Sequence, residues 1–309
     1  MTSNPTHTVP TAETSVLNEN INATTVRFNA SIVLYNTPFD ELQRAVDNLV
    51  ASPLLNRLFL VDNSPVPPSP YMARTNSKPN FSSIATADNR ITYLPQNQNL
   101  GYGKAHNIAI RETIKEGIPY HLVLNADTDF DADIFPTIIN FMQANADVAL
   151  LQPKIYYTNG TLQRTCRLLP TPYDMFARRF MPSLLTKKRN ARYELHEFDY
   201  NTTLNVPYLP GCFMFLRTSA LQEVGLFDER FFLYPEDIDL TRRLHRHFKT
   251  LFFPEVSITH RHDRASYKSL KLTLIHVREM AKYFTKWGWL CDSERSSFNK
   301  TIIEQLAQP

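Results

Sequence analysis

The stretch HLVLNADTDFDADIFP, residues 121–136, decides the fold. Its apolar run, Leu122 to Leu124, stops abruptly at four alternating aspartates, Asp127, Asp129, Asp131 and Asp133. A short apolar run bounded in this way reads as a buried strand. So much negative charge at a strand end requires a cation, a helix N-terminus or solvent beside it. Asp131 and Asp133 suit the start of a helix carrying Ile134, Ile138, Phe141 and Met142, where carboxylates favour the macrodipole. Asp127 and Asp129 sit at the strand terminus itself. An Asp-X-Asp there can share one hard divalent ion, Mg²⁺ or Mn²⁺, bound through substrate phosphates. A calcium loop is excluded, because its sixth and twelfth positions need glycine and glutamate and hold Ala132 and Ile138.

Upstream, Ala30 to Tyr35 in RFNASIVLYNTP reads as a buried strand stopped by Asn36 and Pro38. A helix follows with Leu42, Val46 and Leu49 on one face and Asp40 as its expected N-cap. LNRLFLVDNSP gives a second strand ending at Asp62 and Asn63, and RITYLPQ a third. NQNLGYGKAHN, with two of only seven glycines, leads into the next helix. Strand–helix alternation with apolar strand runs predicts an α/β fold with a parallel sheet covered on both faces. Ligands of such sheets bind beyond the C-terminal strand ends. The polar clusters Asn36, Asp62-Asn63, Asn97–Asn99 and Asp127–Asp129 all fall there.

Downstream, VALLQPKIYY continues the pattern, and residues 158–205 break it. That segment is basic, lacks clear periodicity and is expected to be a loop or lid. VPYLPGCFMFLRTSALQEVG resumes with strand and helix, KTLFFPEVSITH holds one or two strands, and residues from Ser269 onward read as amphipathic helix. Hydrophobic residues make up 43% of the 309, enough for a sizeable core. The net charge of +3 is too small to argue for nucleic acid. Three cysteines without metal or redox spacing favour a reducing, cytosolic compartment. The first 25 residues carry no signal-peptide core, and no run approaches the ~20 apolar residues of a membrane span.

Two further motifs carry chemistry. In YPEDIDL, Glu236 and Asp237 stand beside aromatics at a helix start, where a carboxylate can serve as helix cap or as general base with a raised pKa. Asp239 is expected to support the structure or the acceptor. In THRHD, His260 and His262 share one strand face, and either can join two carboxylates around Mn²⁺.

SIVLYNTP, LFLVDNSP, NQNLGYGKAHNIAI, VLNADTD, GCFMFLRTSALQEVGLFDERFFLYPEDIDLTRRL and ITHRHDRAS occur in this order. The ordered set resembles bacterial inverting glycosyltransferases of family 2, in particular the rhamnosyltransferase branch that builds O-antigens and capsules. The resemblance covers about residues 28–285 and departs from the family at Ala126, where proline is common, and in RHDRAS, which lacks a glycine. It implies a GT-A fold with a mixed central sheet: a disordered tail over 1–26, a catalytic domain over 27–265 and a helical segment over 266–309. The domain divides into a nucleotide-sugar half, 27–133, and an acceptor half, 134–265.

Position by position, the resemblance implies that Asp127 and Asp129 hold the metal of the donor diphosphate. His260 completes that shell, with His262 as second choice. Asp237 is the catalytic base, with Glu236 and Gly211 near the acceptor. Asp62 pairs with the pyrimidine, Tyr35 and Asn36 lie in the first donor loop, and Asn99, Gly101, Lys104 and Asn107 frame the donor. The implied donor is dTDP-β-L-rhamnose, with UDP-galactose or UDP-N-acetylglucosamine as alternatives. The implied acceptor is a growing glycan on a lipid carrier, reached from the cytosolic face of the inner membrane. FARRFMPSLLTKKRNAR and the C-terminal KSLKLTLIHVREMAKYFTKWGWL suit an anionic membrane surface. A nucleotidyltransferase would need a basic Gly-rich loop in place of VLYNTPFDEL. A non-catalytic sugar-binding module would not need a base.

Overall fold

The computed structural model describes residues 26–65, 81–181, 183–261 and 270–307. Residues 1–25 of the expected tail and His262 lie outside them. Four parallel strands open the fold: β1 (Phe28–Leu34), β2 (Leu55–Asp62), β3 (Ile91–Pro95) and β4 (Tyr120–Leu124). They alternate with α1 (Phe39–Val50), α2 (Phe81–Ala87) and α3 (Tyr102–Lys115). α1 buries Leu42, Ala45, Val46 and Leu49, the i, i+3, i+4, i+7 stripe of an amphipathic helix. It begins at Phe39 with Pro38 as its N-cap, two residues earlier than the expected Asp40 cap, so Asp40 lies in the first turn instead.

The short β5 (Thr128–Asp129) and α4 (Ile134–Ala144) lead to β6 (Val148–Tyr156). β7 (Leu204–Asn205), β8 (Phe213–Arg217) and β9 (Lys249–His260) complete one nine-stranded mixed sheet. Its main path runs β3-β2-β1-β4-β8-β6-β9-β5, with β8 antiparallel to β4 and β6. Thr128 pairs with His260, and the Arg261 N–H donates to the Asp127 carbonyl (3.0 Å). The aspartate segment and the histidine segment are therefore laced together by backbone.

Apolar clusters cover both sheet faces. One packs Phe28, Phe135 and Phe215 under α1 and α4. The other joins Met214 and Leu216 to α7 (Thr218–Val224), α8 (Glu236–His245), α9 (Leu270–Trp287) and α10 (Ser293–Leu306). In place of the loop expected over 158–205, the described residues hold α5 (Pro172–Phe180), α6 (Ser183–Tyr193) and a buried aromatic set, Tyr193, Phe198 and Tyr200. Tyr200 meets Phe252 edge to face at 4.9 Å, and the Asn299 side chain bonds the backbone of Leu169 on both sides. These anchors are long-range, so local periodicity does not reveal them.

Candidate active site

Beyond the ends of β4 and β9 lies a cavity of about 380 Å³. Tyr102, Asn125, Gln163, Gly211, Asp237 and His260 are among the residues that line it. Asp237 enters it from the first turn of α8. Its Oδ2 accepts from the Gly211 N–H (2.9 Å) and its Oδ1 from the Ile238 N–H (2.7 Å), so the carboxylate is pinned by backbone. Tyr102 bridges the same wall, its hydroxyl donating to the Gly211 carbonyl (2.7 Å) with the Asn125 side-chain amide 3.0 Å from the same oxygen. Tyr234, also on the wall, holds φ at +90°, a conformation L-residues rarely adopt and one that clusters at functional sites.

Burial raises both carboxyls of the Glu-Asp pair. Glu236 is lifted further because the Asp237 charge adds to its burial. At Asp237 the Gly211 and Ile238 N–H groups and the Arg167 cation act against burial. Asp237 therefore ionises before Glu236, which gives one carboxylate and one carboxylic acid side by side.

His260, 3% exposed, donates from Nδ1 to Gln163 Oε1 (2.9 Å), which turns Nε2 toward Asp127 Oδ1 (3.2 Å) and Asn125 Nδ2 (3.3 Å). Burial opposes its protonation, while Cys212 and Asp127 beside it favour the protonated ring, so a cation bound between Asp127 and His260 would displace the Nε2 proton. Asp129 departs from the expected shell. It is exposed, and its Oδ1 accepts from Asn48 on α1 (2.8 Å), because side chains two residues apart need share a face only in regular strand. No group of three His, Cys, Asp or Glu side chains that could hold a metal ion occurs among the described residues. Asp127 and His260 still fit a divalent ion that takes its remaining ligands from a diphosphate and water, the usual pattern for Mg²⁺.

The residues expected beside a donor cluster at the ends of β1 and β2 and in the glycine loop. Asp62 is buried, accepting from the Ser64 N–H (2.8 Å) and the Tyr93 hydroxyl (2.6 Å). Tyr35 is 50% exposed, and Asn36 takes φ +51° as its N–H meets Ser64 Oγ (2.9 Å). Asn99 Oδ1 accepts from the Gly101 N–H (3.0 Å).

Two residues expected beside the donor, and Asp239, make their contacts elsewhere. Asn107 is buried on α3 and pairs with both backbone groups of Phe227 (2.9 and 3.1 Å), so it clamps the loop before α8 and does not face a donor. Lys104 pairs with Glu229 (3.7 Å). Asp239 is buried outside the cavity lining, bound by Arg243 Nε (2.9 Å), Trp287 Nε1 (2.8 Å) and Lys286, contacts that hold α9 against α8 and match the structural one of its two expected roles.

Sequence reasoning missed Asn125, Tyr102, Gln163, Thr165 and Arg167. Asn125, two residues before Asp127, and Tyr102, between two glycines, carried a usable signal. The other three lie in the segment without periodicity.

The model of the family described as "Glycosyl transferase family 2" matches residues 30–225. N-acetylglucosaminyl-diphospho-decaprenol L-rhamnosyltransferase of Mycobacterium tuberculosis is 27% identical over 189 residues, 55% of this chain and 58% of that protein. The chain thus spans little more than half the length of this curated relative. Among solved structures, GalNAc-T7 with UDP, GalNAc and Mn²⁺ superposes with a TM-score of 0.53 at 14% identity, over 76% of this chain and 43% of the other. The mannosyltransferase PcManGT from Pyrobaculum calidifontis, with GDP-Man and Mn²⁺, gives 0.52 at 15% identity, over 84% and 63%. At these identities the likeness is one of fold, and that fold is GT-A. Since the family model runs from β1 to the end of α7, through the C-terminal ends of β1 to β4, Asn125 and Asp127, the chain belongs to glycosyl transferase family 2.

Proposed function

We propose that the protein is an inverting, metal-dependent glycosyltransferase. It moves L-rhamnose from dTDP-β-L-rhamnose to a hydroxyl of a growing glycan carried on a lipid diphosphate. The observation that carries this is one cavity holding a backbone-pinned Asp237 together with His260, which in turn pairs with Asp127. The sugar and the lipid follow the name of the mycobacterial relative.

Asp237 takes the proton of the acceptor hydroxyl, whose oxygen attacks the anomeric carbon as the bond to the diphosphate oxygen breaks. Glu236, harder to ionise, leaves Asp237 as the proton acceptor. Asp127 and His260 would hold a divalent ion, which when bound neutralises charge on the departing diphosphate. Asp62, Tyr35 and Asn36 seat the base and ribose, and Asn99 and Gly101 shape the loop beside them. Contacts present only in the transition state raise the rate, so losing the base lowers turnover more than donor affinity.

Nucleotide release from dTDP-rhamnose, UDP-galactose and UDP-N-acetylglucosamine, with and without Mn²⁺ and acceptor, tests this. dTDP-rhamnose should turn over fastest and only with the metal. Release from none of them overturns the proposal, and a faster UDP-sugar reassigns the donor. In the same assay Asp237→Asn should keep nucleotide binding and lose about 10²- to 10⁴-fold in transfer. Near-wild-type transfer would remove Asp237 from the role.

A lipid-linked acceptor also calls for peripheral membrane contact. No helix among the described residues is long and apolar enough to cross a membrane. Leu270 and Leu274 stand 77% and 64% exposed on α9, and Lys187 and Lys188 are exposed on α6. Co-sedimentation with anionic vesicles is expected; binding no greater than to neutral vesicles at low salt would rule this contact out.

A further inference from the structure

Three buried polar atoms on the cavity wall have no hydrogen-bond partner among the described residues: Thr165 Oγ1, Arg167 Nε and Glu236 Oε2. Unpaired buried groups are costly, and folded proteins keep few of them. None of these three atoms takes part in the displacement above, where Asp237 moves the proton and the Arg167 charge acts only by favouring its ionised form.

The segment that carries two of these atoms is threaded in alternation. Gln163, Thr165 and Arg167 line the cavity, while Cys166 and Leu168 go into the core and the Arg164 guanidinium lies over Tyr200. Gln163 stands at the His260 end. Arg167, four residues on, lies up to ~13 Å farther along at ~3.3 Å per extended residue. Arg167 is held by Tyr208, with Nη1 donating to the hydroxyl (3.3 Å) and the guanidinium over the ring. No carboxylate forms an ion pair with it among the described residues. A fixed cation in a cavity, with a sealed and unused Nε–H, has the fork geometry that matches an oxyanion.

Resting on the glycosyl-transfer reading, we infer that Arg167, with the Thr165 hydroxyl beside it, receives an oxyanion of the acceptor. That oxyanion is a phosphate or a carboxylate adjoining the sugar that is glycosylated. The donor diphosphate belongs at the opposite end, with Asp127 and His260. Glu236 Oε2 faces a hydroxyl of the same acceptor sugar. The enzyme then selects its acceptor by charge as well as by shape.

Calorimetry on the full chain, saturated with nucleoside diphosphate and Mn²⁺, tests this with three probes sharing one alkyl chain. They are a diphosphate-linked N-acetylglucosamine, the neutral N-acetylglucosamine glycoside and a glucuronide. Wild type should bind one anionic probe at least about tenfold more tightly than the neutral one, as a charge-assisted pair implies. Preference for the diphosphate assigns a phosphate; preference for the glucuronide assigns a carboxylate. Arg167→Gln should erase the preference while leaving nucleoside diphosphate binding intact, and Arg167→Lys, which keeps charge without the fork, should retain part of it. If Arg167→Gln fails to fold, the partial loss in Arg167→Lys is the deciding measurement. Equal or absent binding of all three probes by wild type, an undiminished preference in both variants, or a parallel loss of nucleotide binding would overturn the inference. Failure of the underlying reading shows separately, as no nucleotide release from any nucleotide sugar by wild type.

Discussion

Asp127 and Asp129 are chemically identical, two residues apart and set in opposite surroundings. Asp127 pairs with His260 at the cavity, whereas Asp129 turns to solvent and takes a hydrogen bond from Asn48. Substituting each in turn should separate them. Asp127→Ala strips a direct ligand from the candidate metal position, a loss at least as large as the about 10- to 100-fold in metal affinity that removing a supporting partner of a ligand costs. Asp129→Ala removes one exposed hydrogen bond, worth about 1 kcal/mol or less. A manganese titration of transfer should show the half-saturating concentration rising steeply for the first variant and scarcely for the second. Equal damage in both would restore Asp129 to the shell. The sequence alone could not make this distinction, since it shows the spacing of the carboxylates and not the break in strand geometry between them. Asp237 and His260 were legible because each closes or opens a recognisable element. Arg167 was not, because what singles it out is a missing partner.

Among the elements, the loop 225–235 does the least visible positioning. It descends onto the glycine loop, where the Tyr102 N–H donates to the Phe232 carbonyl (3.0 Å) and Asn107 clamps Phe227. Gly101, at φ +89°, lies so close that an added Cβ would meet that carbonyl at 2.5 Å. Gly117, at φ +69°, has open space around the same position. Gly101→Ala should therefore combine backbone strain of about 1–3 kcal/mol, because φ +89° with ψ 168° is open essentially to glycine alone, with displacement of Phe232, and Gly117→Ala should show backbone strain without any displacement. Thermal melts and transfer rates check this: both variants melt lower, and only Gly101→Ala loses most of its transfer. Equal transfer by the two would mean that the loop contact does not position the site. Strands β1 to β4 and helix α8 were readable from apolar runs and periodicity. α5 and α6 were not, because they are held by Asn299 and an aromatic cluster far away in sequence.

The whole molecule holds its candidate base from behind. α8 presents Asp237 at one end, and farther along it Arg242, 1% exposed, reaches the C-terminal helices. Its Nη1 and Nη2 bond Asp292 (2.8 and 2.6 Å), its Nε bonds Glu294 (2.7 Å), and its guanidinium stacks on Trp287 (4.0 Å to the ring centre). Asp292 is also the N-cap of α10, accepting from the Arg295 N–H (2.9 Å). A buried pair of this kind does not by itself signal high stability, because desolvation offsets most of the attraction. Breaking it is a different matter, because Asp292→Ala leaves a buried cation with only part of its compensation and α10 without its cap. The expected cost is about 3–5 kcal/mol from the pair and ~1 kcal/mol from the cap, toward the lower end because Glu294 remains. Calorimetric melting should fall by several degrees. Replacing Arg242 and Asp292 together by apolar residues of similar volume should recover much of the loss. If Asp292→Ala melts like wild type, the C-terminal helices are not what steadies α8, and the orientation of Asp237 must be set by its Gly211 and Ile238 contacts alone.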